Sequence, residues 1–345
     1  MIGRRRGNPA RSVEPMRALV TGGGGFLGQY IVEQLLARGD SVRSFCRQKY
    51  PALDDQGVEQ VQGDLQDARA VSAACRDREV VFHVAAVAGI WGPREKFFGI
   101  NTLGTQHVVN GCRQHGVPRL VYCSSPSVTF TAIDQCGVDE TTPYATNWLC
   151  HYPHSKAVAE QLVLEANDGV DLRTCALRPH LIWGPRDQHL IPRLLARARS
   201  GQLRQVGDGR NLIDTIYVEN AAEAHLRAAD ALGPGSPVAG QAYFISQGQP
   251  VNCWDWINEI LRIHHLSAVR KRISFAAAWC VGRLLEGIHT VCGWDSEPRM
   301  TRFLAAQLAK SHYFTIRKAQ ADFGFAPTIS LDQGMRRLAN SRATG

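Results

Sequence analysis

The 345-residue sequence lacks the features that mark several classes of protein. It has no uninterrupted apolar run of about 18 residues, the length that crosses a bilayer as a helix. The most apolar stretch, from Phe275 to Val291, is interrupted by Arg283, Glu286 and His289. Its ten cysteines form no Cys-x-x-Cys pair and no paired Cys/His spacing, which argues against a zinc site and a disulfide scaffold. We therefore expect a cytoplasmic globular protein with reduced cysteines and no bound metal.

Positive charge exceeds negative charge only modestly. The formal net charge is +8, from 39 Lys and Arg against 31 Asp and Glu, and residues 1–15 hold four of the arginines and one glutamate. This balance suits an enzyme of anionic small molecules better than a nucleic-acid-binding protein. Residues 1–15 have no apolar stretch after their arginines, so we interpret them as a flexible basic tail rather than a secretion signal or an anchor.

The order of the apolar patterns predicts the fold. From Met16 onward, short β-branched or apolar runs alternate with helical segments, which predicts an α/β fold with a Rossmann-type, doubly wound parallel sheet. After Pro179 the regularity gives way to loops rich in Gly, Pro and Arg, which predicts a smaller C-terminal substrate-binding lobe. We predict an NAD(P)-binding domain at residues 16–178 and a lobe at residues 179–345, with some C-terminal strands interleaved in the sheet.

A glycine-rich turn predicts the cofactor site. The segment "ALVTGGGGFLGQYIVEQLL" has Gly-x-x-Gly-x-x-Gly spacing between a strand and an amphipathic helix. Glycine allows a tight turn and a close approach of backbone N–H groups to a pyrophosphate, and the helix N-terminus favours the anion. A bare turn is the structural alternative. The predicted contacts are Gly22, Gly25, Phe26, Leu27 and Gly28.

The end of the second strand indicates which dinucleotide binds. An NAD site of this type has an acid there for the ribose hydroxyls, whereas this sequence has Cys46 and Arg47. An arginine pairs with a 2′-phosphate, and the missing carboxylate removes a repulsion. We predict that NADP(H) is preferred, with NAD(H) as the alternative. The basic turn could equally be a solvated surface.

Two other strand ends add cofactor contacts. After the third strand, "QGDLQD" places Asp64 and Leu65 where they could meet the adenine. After the fourth, Ala85 and Ala86 are small enough for a cofactor to lie against the backbone, although tight packing alone also favours small residues.

The segments "VYCSSPSV" and "YPHSK" carry the candidate reacting groups. Ser125 follows the fifth strand, at the sheet edge where open α/β folds bind ligands. Tyr152 and Lys156 are four residues apart, hence on one face of a helix. An ammonium beside a phenol favours the phenolate and so suits the pair to proton transfer at a carbonyl. The structural alternatives are a strand-ending turn and an exposed helix start.

Several motifs together resemble one protein family. "TGGGGFLG", "GDL", "NTLGT", "SSPSV", "YPHSK" and "RPHLIWGPRD" are similar to the extended short-chain dehydrogenase/reductases, specifically the 3β-hydroxysteroid dehydrogenase family, from about Met16 to the C-terminus. The resemblance implies that Tyr152 is the general acid-base, that Lys156 activates it and binds the ribose, and that Ser125 contacts the substrate oxygen. It also implies that Asn101 supports the site from its helix and that Pro179 and His180 lie along the nicotinamide.

The resemblance also implies an activity. It points to the branch that reduces the 3-oxo group of a 2-alkyl-3-oxoalkanoic acid with NADPH, in long-chain olefin biosynthesis. The alternatives are an NAD(P)-dependent 3β-hydroxysteroid or sterol-4α-carboxylate 3-dehydrogenase, a nucleotide-sugar epimerase, and a non-catalytic dinucleotide-sensing protein. The NAD-using sterol enzymes resemble a strand ending in an acid, so Cys46-Arg47 favours the reductive branch.

A hydrophobic carboxylate substrate requires a cation and apolar walls. His180, Arg186 and His189 are candidates for the cation, and Trp148, Trp183 and Trp279 for the walls, although each could be a structural residue. Residues 275–291 predict an amphipathic helix over the substrate pocket or, as the second interpretation, a weak contact with a membrane surface. We further expect a homodimer or a complex with pathway enzymes, and no nucleic-acid partner.

Overall fold

The computed structural model describes residues 15–343, so all of the predicted basic tail except Pro15 lies outside the described residues. Its largest element is a seven-stranded parallel sheet of order β12-β7-β5-β4-β1-β2-β3. The strands are β1 (Arg17–Thr21), β2 (Ser41–Cys46), β3 (Glu59–Gln62), β4 (Val80–His83), β5 (Arg119–Cys123), β6 (Gln135–Val138), β7 (Arg173–Pro179), β8 (Ile182–Trp183), β9 (Gln205–Val206), β10 (Leu212–Ile213), β11 (Ile216–Tyr217), β12 (Gln241–Ile245), β13 (Val251–Asn252), β14 (Arg272–Ile273) and β15 (His312–Phe314).

Helices connect these strands. They are α1 (Phe26–Ala37), α2 (Pro51–Asp54), α3 (Ala68–Cys75), α4 (Arg94–Phe97), α5 (Gly104–Gln114), α6 (His151–Glu165), α7 (Leu190–Arg199), α8 (Val218–Ala231), α9 (Cys253–Ile263), α10 (Phe275–Cys292), α11 (Arg302–Ala309), α12 (Arg317–Phe323) and α13 (Leu331–Ala343). A π-helical turn (Phe98–Leu103) joins α4 to α5, and a 3-10 turn (Pro126–Thr129) follows β5.

Both faces of the sheet are covered by helices, because its strands are apolar on both sides. On one face, residues of α1 and α8 such as Ile31 and Ala222 pack in a fully buried cluster. On the other, α3, α5 and α6 contribute Val71, Val108 and Val163. The predicted Rossmann-type fold is confirmed. The chain order reverses between β4 and β1, and a doubly wound sheet binds its ligand in the crevice at such a point.

The second half of the chain does not separate from the sheet at one position. The predicted boundary after residue 178 falls within β7, and β12 pairs with β7 in register, Gln241 opposite Cys175. A second cluster of buried residues, formed mainly by α7, α9 and α13 around Trp183 and Ile257, builds the smaller lobe. The division into two domains stays a prediction, with the sheet shared between its halves.

Helix α10 packs against α11 and against the segment that follows the 3-10 turn. Phe275 and Trp279 on its inner face pack against Phe130 and Phe303. Its outer face exposes an apolar stripe: Val281, Leu284, Ile288 and Val291. None of the helices within residues 15–343 is long and apolar enough to cross a membrane. The predicted surface contact through this helix stays a prediction.

Candidate active site

A cavity of about 780 Å³ lies at the carboxyl ends of the sheet strands. It is one continuous volume that holds both the predicted cofactor contacts and the predicted reacting groups. The predicted residues that line it are Gly22, Gly25, Phe26, Leu27, Gly28, Cys46, Arg47, Asp64, Leu65, Ala85, Ala86, Ser125, Tyr152, Lys156, Pro179, His180 and His189. Asn101, Trp148, Trp183 and Arg186 do not line it.

The glycine loop leaves a backbone cradle at one end of this cavity. Gly22 has φ +75°, and a Cβ atom there would come within 2.9 Å of the Ala85 Cα. A Cβ at Gly28 would overlap the Gly22 carbonyl. The Gly25 N–H donates to that same carbonyl at 2.8 Å and opens α1. Side chains are therefore excluded where a pyrophosphate would approach the helix N-terminus, and the loop fits a dinucleotide.

The end of β2 combines a thiol with an unpaired cation. Cys46 Sγ accepts a hydrogen bond from the Gly24 N–H at 3.3 Å, so this side chain supports the glycine loop. Arg47 is exposed, lines the cavity, and makes no ion pair with a described residue. Across the loop after β3, Asp64 also lines the cavity and accepts from the Gln66 N–H at 2.8 Å. The cation at the β2 end is thus free to meet an anion.

Tyr152 and Lys156 lie in the first turns of α6, at the middle of the cavity. Burial, followed by the neighbouring Cys123, raises the pKa of Tyr152 to about 12, while a hydrogen bond with Ser125 acts in the opposite direction. Lys156 Nζ donates to the Cys123 carbonyl at 2.6 Å and lies 4.1 Å from the centre of the Tyr122 ring. Burial lowers the pKa of Lys156 to about 8.

This arrangement corrects one expectation. The Lys156 ammonium was expected to favour the Tyr152 phenolate, yet the phenol pKa is raised, because Lys156 is held by a backbone carbonyl and burial dominates. Tyr152 is therefore protonated at neutral pH. A protonated phenol is the form that donates a proton to a carbonyl oxygen as that carbonyl is reduced.

Ser125 lies beside the phenol at the end of β5. Its backbone is extended (φ −157°), and its Oγ accepts from the Ser127 N–H at 3.2 Å and lies 2.9 Å from Ser127 Oγ. Ser125 lies close enough to the Tyr152 hydroxyl to lower the pKa of that phenol, and both side chains line the cavity. Two such groups can hold a single substrate oxygen between them.

Asn101 is close to the site but does not reach the cavity. It lies in the π-helical turn and is 1% exposed. Its Nδ2 donates to Ser155 Oγ at 3.0 Å and to the Val87 carbonyl at 3.1 Å, and its Oδ1 accepts from the Val87 N–H at 2.8 Å. Asn101 therefore positions α6 and the chain after β4 without lining the cavity, and its support of catalysis stays a prediction.

Two of the candidate cations are corrected by the structure. Arg186 has a left-handed backbone (φ 66°) and pairs with Glu33 of α1, with Nη2 to Oε2 at 2.9 Å, over the Tyr30 ring. His180 Nε2 lies 2.7 Å from His312 Nδ1, and burial lowers the pKa of His180 well below its usual value, so its ring is neutral. Neither side chain supplies a free positive charge to the cavity.

The predicted tryptophan walls lie elsewhere. Trp183 is fully buried in the core of the smaller lobe, where its Nε1 donates to Thr215 Oγ1 at 3.2 Å and its ring meets Tyr217 and Trp256. Trp148 stacks on His154, with ring centroids 5.1 Å apart, away from the cavity lining. Both indoles pack against aromatic side chains outside the cavity, and Trp279 of α10 does not line it either.

Other residues, missed by the motif reading, form the substrate end. They are Phe130, Gln135, Arg193, Phe303, Gln307, His312 and Phe314. They come from β6, α7, α11, β15 and a turn, and no short motif connects them. Arg193 is the exception, since it follows His189 by four residues and thus lies on the same face of α7.

Comparisons with known proteins agree with the motifs. The profile described as the 3-beta hydroxysteroid dehydrogenase/isomerase family matches residues 19–276. A protein of Stenotrophomonas maltophilia named 2-alkyl-3-oxoalkanoate reductase is 47% identical over 331 residues, which cover 95% of this chain and 100% of that protein. The Mus musculus protein named sterol-4-alpha-carboxylate 3-dehydrogenase, decarboxylating, is 33% identical over 329 residues, which cover 94% of this chain and 90% of that protein.

Solved structures share the architecture. UDP-glucose 4-epimerase of Thermus thermophilus, in complex with NAD, superposes with a TM-score of 0.73 at 24% identity, covering 96% of this chain and 100% of that one. MoeE5 in complex with UDP-glucose and NAD gives a TM-score of 0.72 at 24% identity, covering 95% of this chain and 99% of that one. At this identity the likeness shows the fold alone.

Proposed function

Because the chain belongs to the 3-beta hydroxysteroid dehydrogenase/isomerase family and is an NAD(P)-dependent oxidoreductase, we propose that it reduces the 3-oxo group of a 2-alkyl-3-oxoalkanoic acid with NADPH. The observation that carries the proposal is that Ser125, Tyr152 and Lys156 line one cavity together with the glycine cradle. The relative of that name, 47% identical over nearly the whole chain, supports this substrate class.

The protein's own groups have defined tasks in this reaction. Ser125 and Tyr152 hold the carbonyl oxygen, and Tyr152 donates its proton to that oxygen as the negative charge develops. Bound NADPH supplies the hydride for the carbonyl carbon, so the product is the 3-hydroxy acid. Lys156, positively charged below a pH of about 8, stabilises the phenolate that Tyr152 becomes. The apolar side chains of the substrate end exclude water around the alkyl chains.

The choice of NADPH rests on Arg47. It is an exposed guanidinium at the end of β2 that lines the cavity and has no carboxylate partner within the described residues. A 2′-phosphate is a dianion that such a group can pair with through two hydrogen bonds. The same position offers the ribose hydroxyls of NADH no acceptor of the usual kind.

Oxidation of a sterol-4α-carboxylate is the second candidate, because a relative of that name is 33% identical over most of the chain. In both reactions the hydride moves at a carbon β to a carboxylate. The Arg47 guanidinium at the end of β2, which suits a 2′-phosphate better than the ribose hydroxyls of NAD, favours the first candidate.

One assay separates the candidates. NADPH consumption with a long-chain 2-alkyl-3-oxo acid is measured beside NADH, and NAD reduction with a 4-carboxysterol is measured beside both, with Tyr152→Phe as the blank. We expect rapid NADPH-linked reduction that is absent in the blank. Sterol oxidation with NAD and no reduction of the oxo acid would replace the proposal by the second candidate. Dinucleotide binding without turnover of any of these substrates would indicate a sensing protein.

A further inference from the structure

A buried histidine outside the cavity lies between its cofactor strands and the catalytic tyrosine. His83 is the last residue of β4 and is 1% exposed. Its Nδ1 lies 2.7 Å from Thr21 Oγ1, at the end of β1 directly before Gly22. Its Nε2 lies 2.9 Å from Thr105 Oγ1, in the first turn of α5. Neither threonine lines the cavity, so the cofactor and the substrate touch none of these three side chains.

The chemistry of the partners fixes the direction of every hydrogen bond. Thr105 Oγ1 donates its only proton to the Asn101 carbonyl at 2.6 Å. It must then accept from His83, which places the ring proton on Nε2. Burial lowers the pKa of His83 to about 3, so the ring is neutral and Nδ1 carries a lone pair. That lone pair accepts the hydroxyl proton of Thr21, whose oxygen accepts from the Ala85 N–H at 3.3 Å.

The chain of hydrogen bonds continues to the catalytic helix. Asn101 joins it through its own carbonyl, and its Nδ2 donates to Ser155 Oγ at 3.0 Å. Ser155 Oγ in turn donates to the Tyr152 carbonyl at 2.9 Å. The Asn101 backbone lies in the π-helical turn, a distortion often found at functional sites. The chain therefore runs without a break from Ala85 to the backbone of Tyr152.

A second contact connects the same histidine to the lysine. The His83 and Tyr122 rings are 5.5 Å apart, and Lys156 Nζ lies 4.1 Å from the centre of the Tyr122 ring. A positive charge on His83 would face that ammonium across one ring, and the two would repel. The neutral ring is therefore the form that suits both contacts.

We propose that His83 is a positioning residue that couples the dinucleotide-binding ends of β1 and β4 to the catalytic tyrosine. The inference rests on the proposed role of Tyr152. Gly22 and Ala85 approach each other closely and both line the cavity, and both are attached to Thr21, by the chain and by a hydrogen bond. When a dinucleotide orders these two strand ends, the chain through His83 orders the first turn of α6. Binding of the cofactor thereby fixes the position of the Tyr152 phenol before the substrate binds.

The test removes single hydroxyls at constant shape. Thr105→Val breaks the chain between His83 and Asn101, and Thr21→Val breaks it on the other side. Thr174→Val is the matched control: Thr174 is buried, and its Oγ1 donates to the α6 carbonyl of Val163 at 2.6 Å, but it lies outside the chain. Thr105→Val and Thr21→Val each remove two hydrogen bonds of a buried hydroxyl, and Thr174→Val removes one, so a somewhat larger loss of stability is expected in the first two.

Hydrogen exchange of backbone amides gives a readout that needs no turnover. In the wild type and in Thr174→Val, NADPH is expected to slow exchange of the Ser155 and Lys156 amides. In Thr105→Val, NADPH is expected to bind with nearly the same Kd but to leave their exchange unchanged. Equal protection in Thr105→Val and Thr174→Val would overturn the coupling. This result is independent of whether the wild type reduces any oxo acid, so it is distinguishable from failure of the proposed function.

Kinetics gives the second readout. At saturating NADPH, Thr105→Val and Thr21→Val are each expected to lower kcat about tenfold, with KM for the oxo acid nearly unchanged. The double variant is expected to be no slower than either single one, because both break the same chain. Multiplied losses in the double variant would contradict a shared path. His83→Gln, which keeps an N–H donor, is expected to retain more activity than His83→Leu; equal loss in the two would argue for packing alone.

Discussion

The two ends of the cavity are built in different ways. The dinucleotide end is formed by backbone and small side chains within short segments, the glycine loop at residues 22–28 and the alanines after β4. The substrate end is formed by large side chains from separate elements, including Phe130, Phe303 and Phe314. A backbone cradle suits a ligand of constant shape, whereas side chains from separate elements can be exchanged one at a time. On the proposed function, the first end would bind the dinucleotide and the second would select the substrate.

Tyr152 lies where the two ends meet, and its removal is expected to have the largest effect. Tyr152→Phe keeps the packing but removes the proton donor, so kcat should fall about 10²- to 10⁴-fold for every substrate, with the Kd for NADPH unchanged. Stopped-flow turnover and dinucleotide titration measure the two quantities. Tyr144→Phe is the control, because its hydroxyl bonds to Glu160, outside the cavity. Equal losses in the two variants would remove Tyr152 from the chemistry.

Reversal of charge at the dinucleotide end should change the cofactor and not the substrate. Arg47→Glu is expected to lower the preference for NADPH over NADH by about 10- to 100-fold, through loss of a charge-assisted pair and a new repulsion. Lys49→Glu makes the same change two residues later, at an exposed side chain that does not line the cavity. The ratio of kcat/KM for the two dinucleotides should move only in the first variant. An unchanged ratio in Arg47→Glu would leave the cofactor preference without a structural basis.

The pH dependence of kcat should follow the ionisation of Lys156, at the centre of the cavity, rather than that of a group at either end. The pKa of Lys156 is lowered to about 8, so Lys156 is charged below that pH and loses its proton above it. The pKa of Tyr152 is raised to about 12, so the phenol stays protonated throughout. Reduction should therefore be fast below pH 8 and decline by up to about tenfold per unit above it. A pH–kcat profile that is flat up to pH 10 would show that the lysine charge is not required.

A smaller side chain at the substrate end should change how kcat/KM depends on the length of the substrate's alkyl chains. Phe303→Ala removes an apolar wall that packs edge to face on Phe130, with centroids 5.8 Å apart. We expect kcat/KM for long-chain substrates to fall about tenfold and that for short-chain substrates to change little, in line with the apolar area lost. Trp148→Ala, outside the cavity, should show no dependence on chain length. A uniform loss over all chain lengths in Phe303→Ala would mean that the alkyl chains lie elsewhere.

The smallest expected effect concerns the cavity mouth. Arg193 and Arg197 both pair with Glu297, but only Arg193 lines the cavity. Arg193→Gln should raise KM for the anionic substrate about threefold without changing kcat, because an exposed charge attracts a carboxylate weakly. Arg197→Gln should leave KM unchanged, and steady-state kinetics at low ionic strength would show the difference. The same KM in both variants would remove Arg193 from substrate binding.

The residues that could be predicted from the sequence are those whose role depends on the local backbone. Gly22, Gly25 and Gly28 act through their own turn, and Tyr152 and Lys156 share one helix face, so their spacing was sufficient to find them. Arg186 was misjudged because its partner, Glu33, is more than 150 positions away, and such pairing leaves no sequence pattern. The prediction that Trp183 lines the substrate pocket was wrong for the same reason, since its aromatic neighbours come from other elements.

The direction of the pKa shift of Tyr152 could not be predicted from the sequence either. The i, i+4 spacing placed Lys156 near Tyr152, but the Cys123 carbonyl that captures the ammonium comes from a different strand. His83, Thr21 and Thr105 were not singled out, because each is an ordinary buried polar residue until the three meet in space. Periodicity could place them on strand ends and a helix, but only the register of β1 against β4, with Thr21 opposite His83, brings them together.

The pairing of β7 with β12 and of β6 with β15 also constrains the order in which parts of the chain can fold during synthesis. During synthesis, β7 can pair with β5 but has an open edge on its other side, because β12 is not complete until residue 245 has been added. β6 must wait still longer, until residue 314. A nascent chain can thus complete its dinucleotide end before His312 and Phe314, which line the other end of the cavity, have been added. The residues of β15 are therefore the last part of the cavity lining to be synthesised.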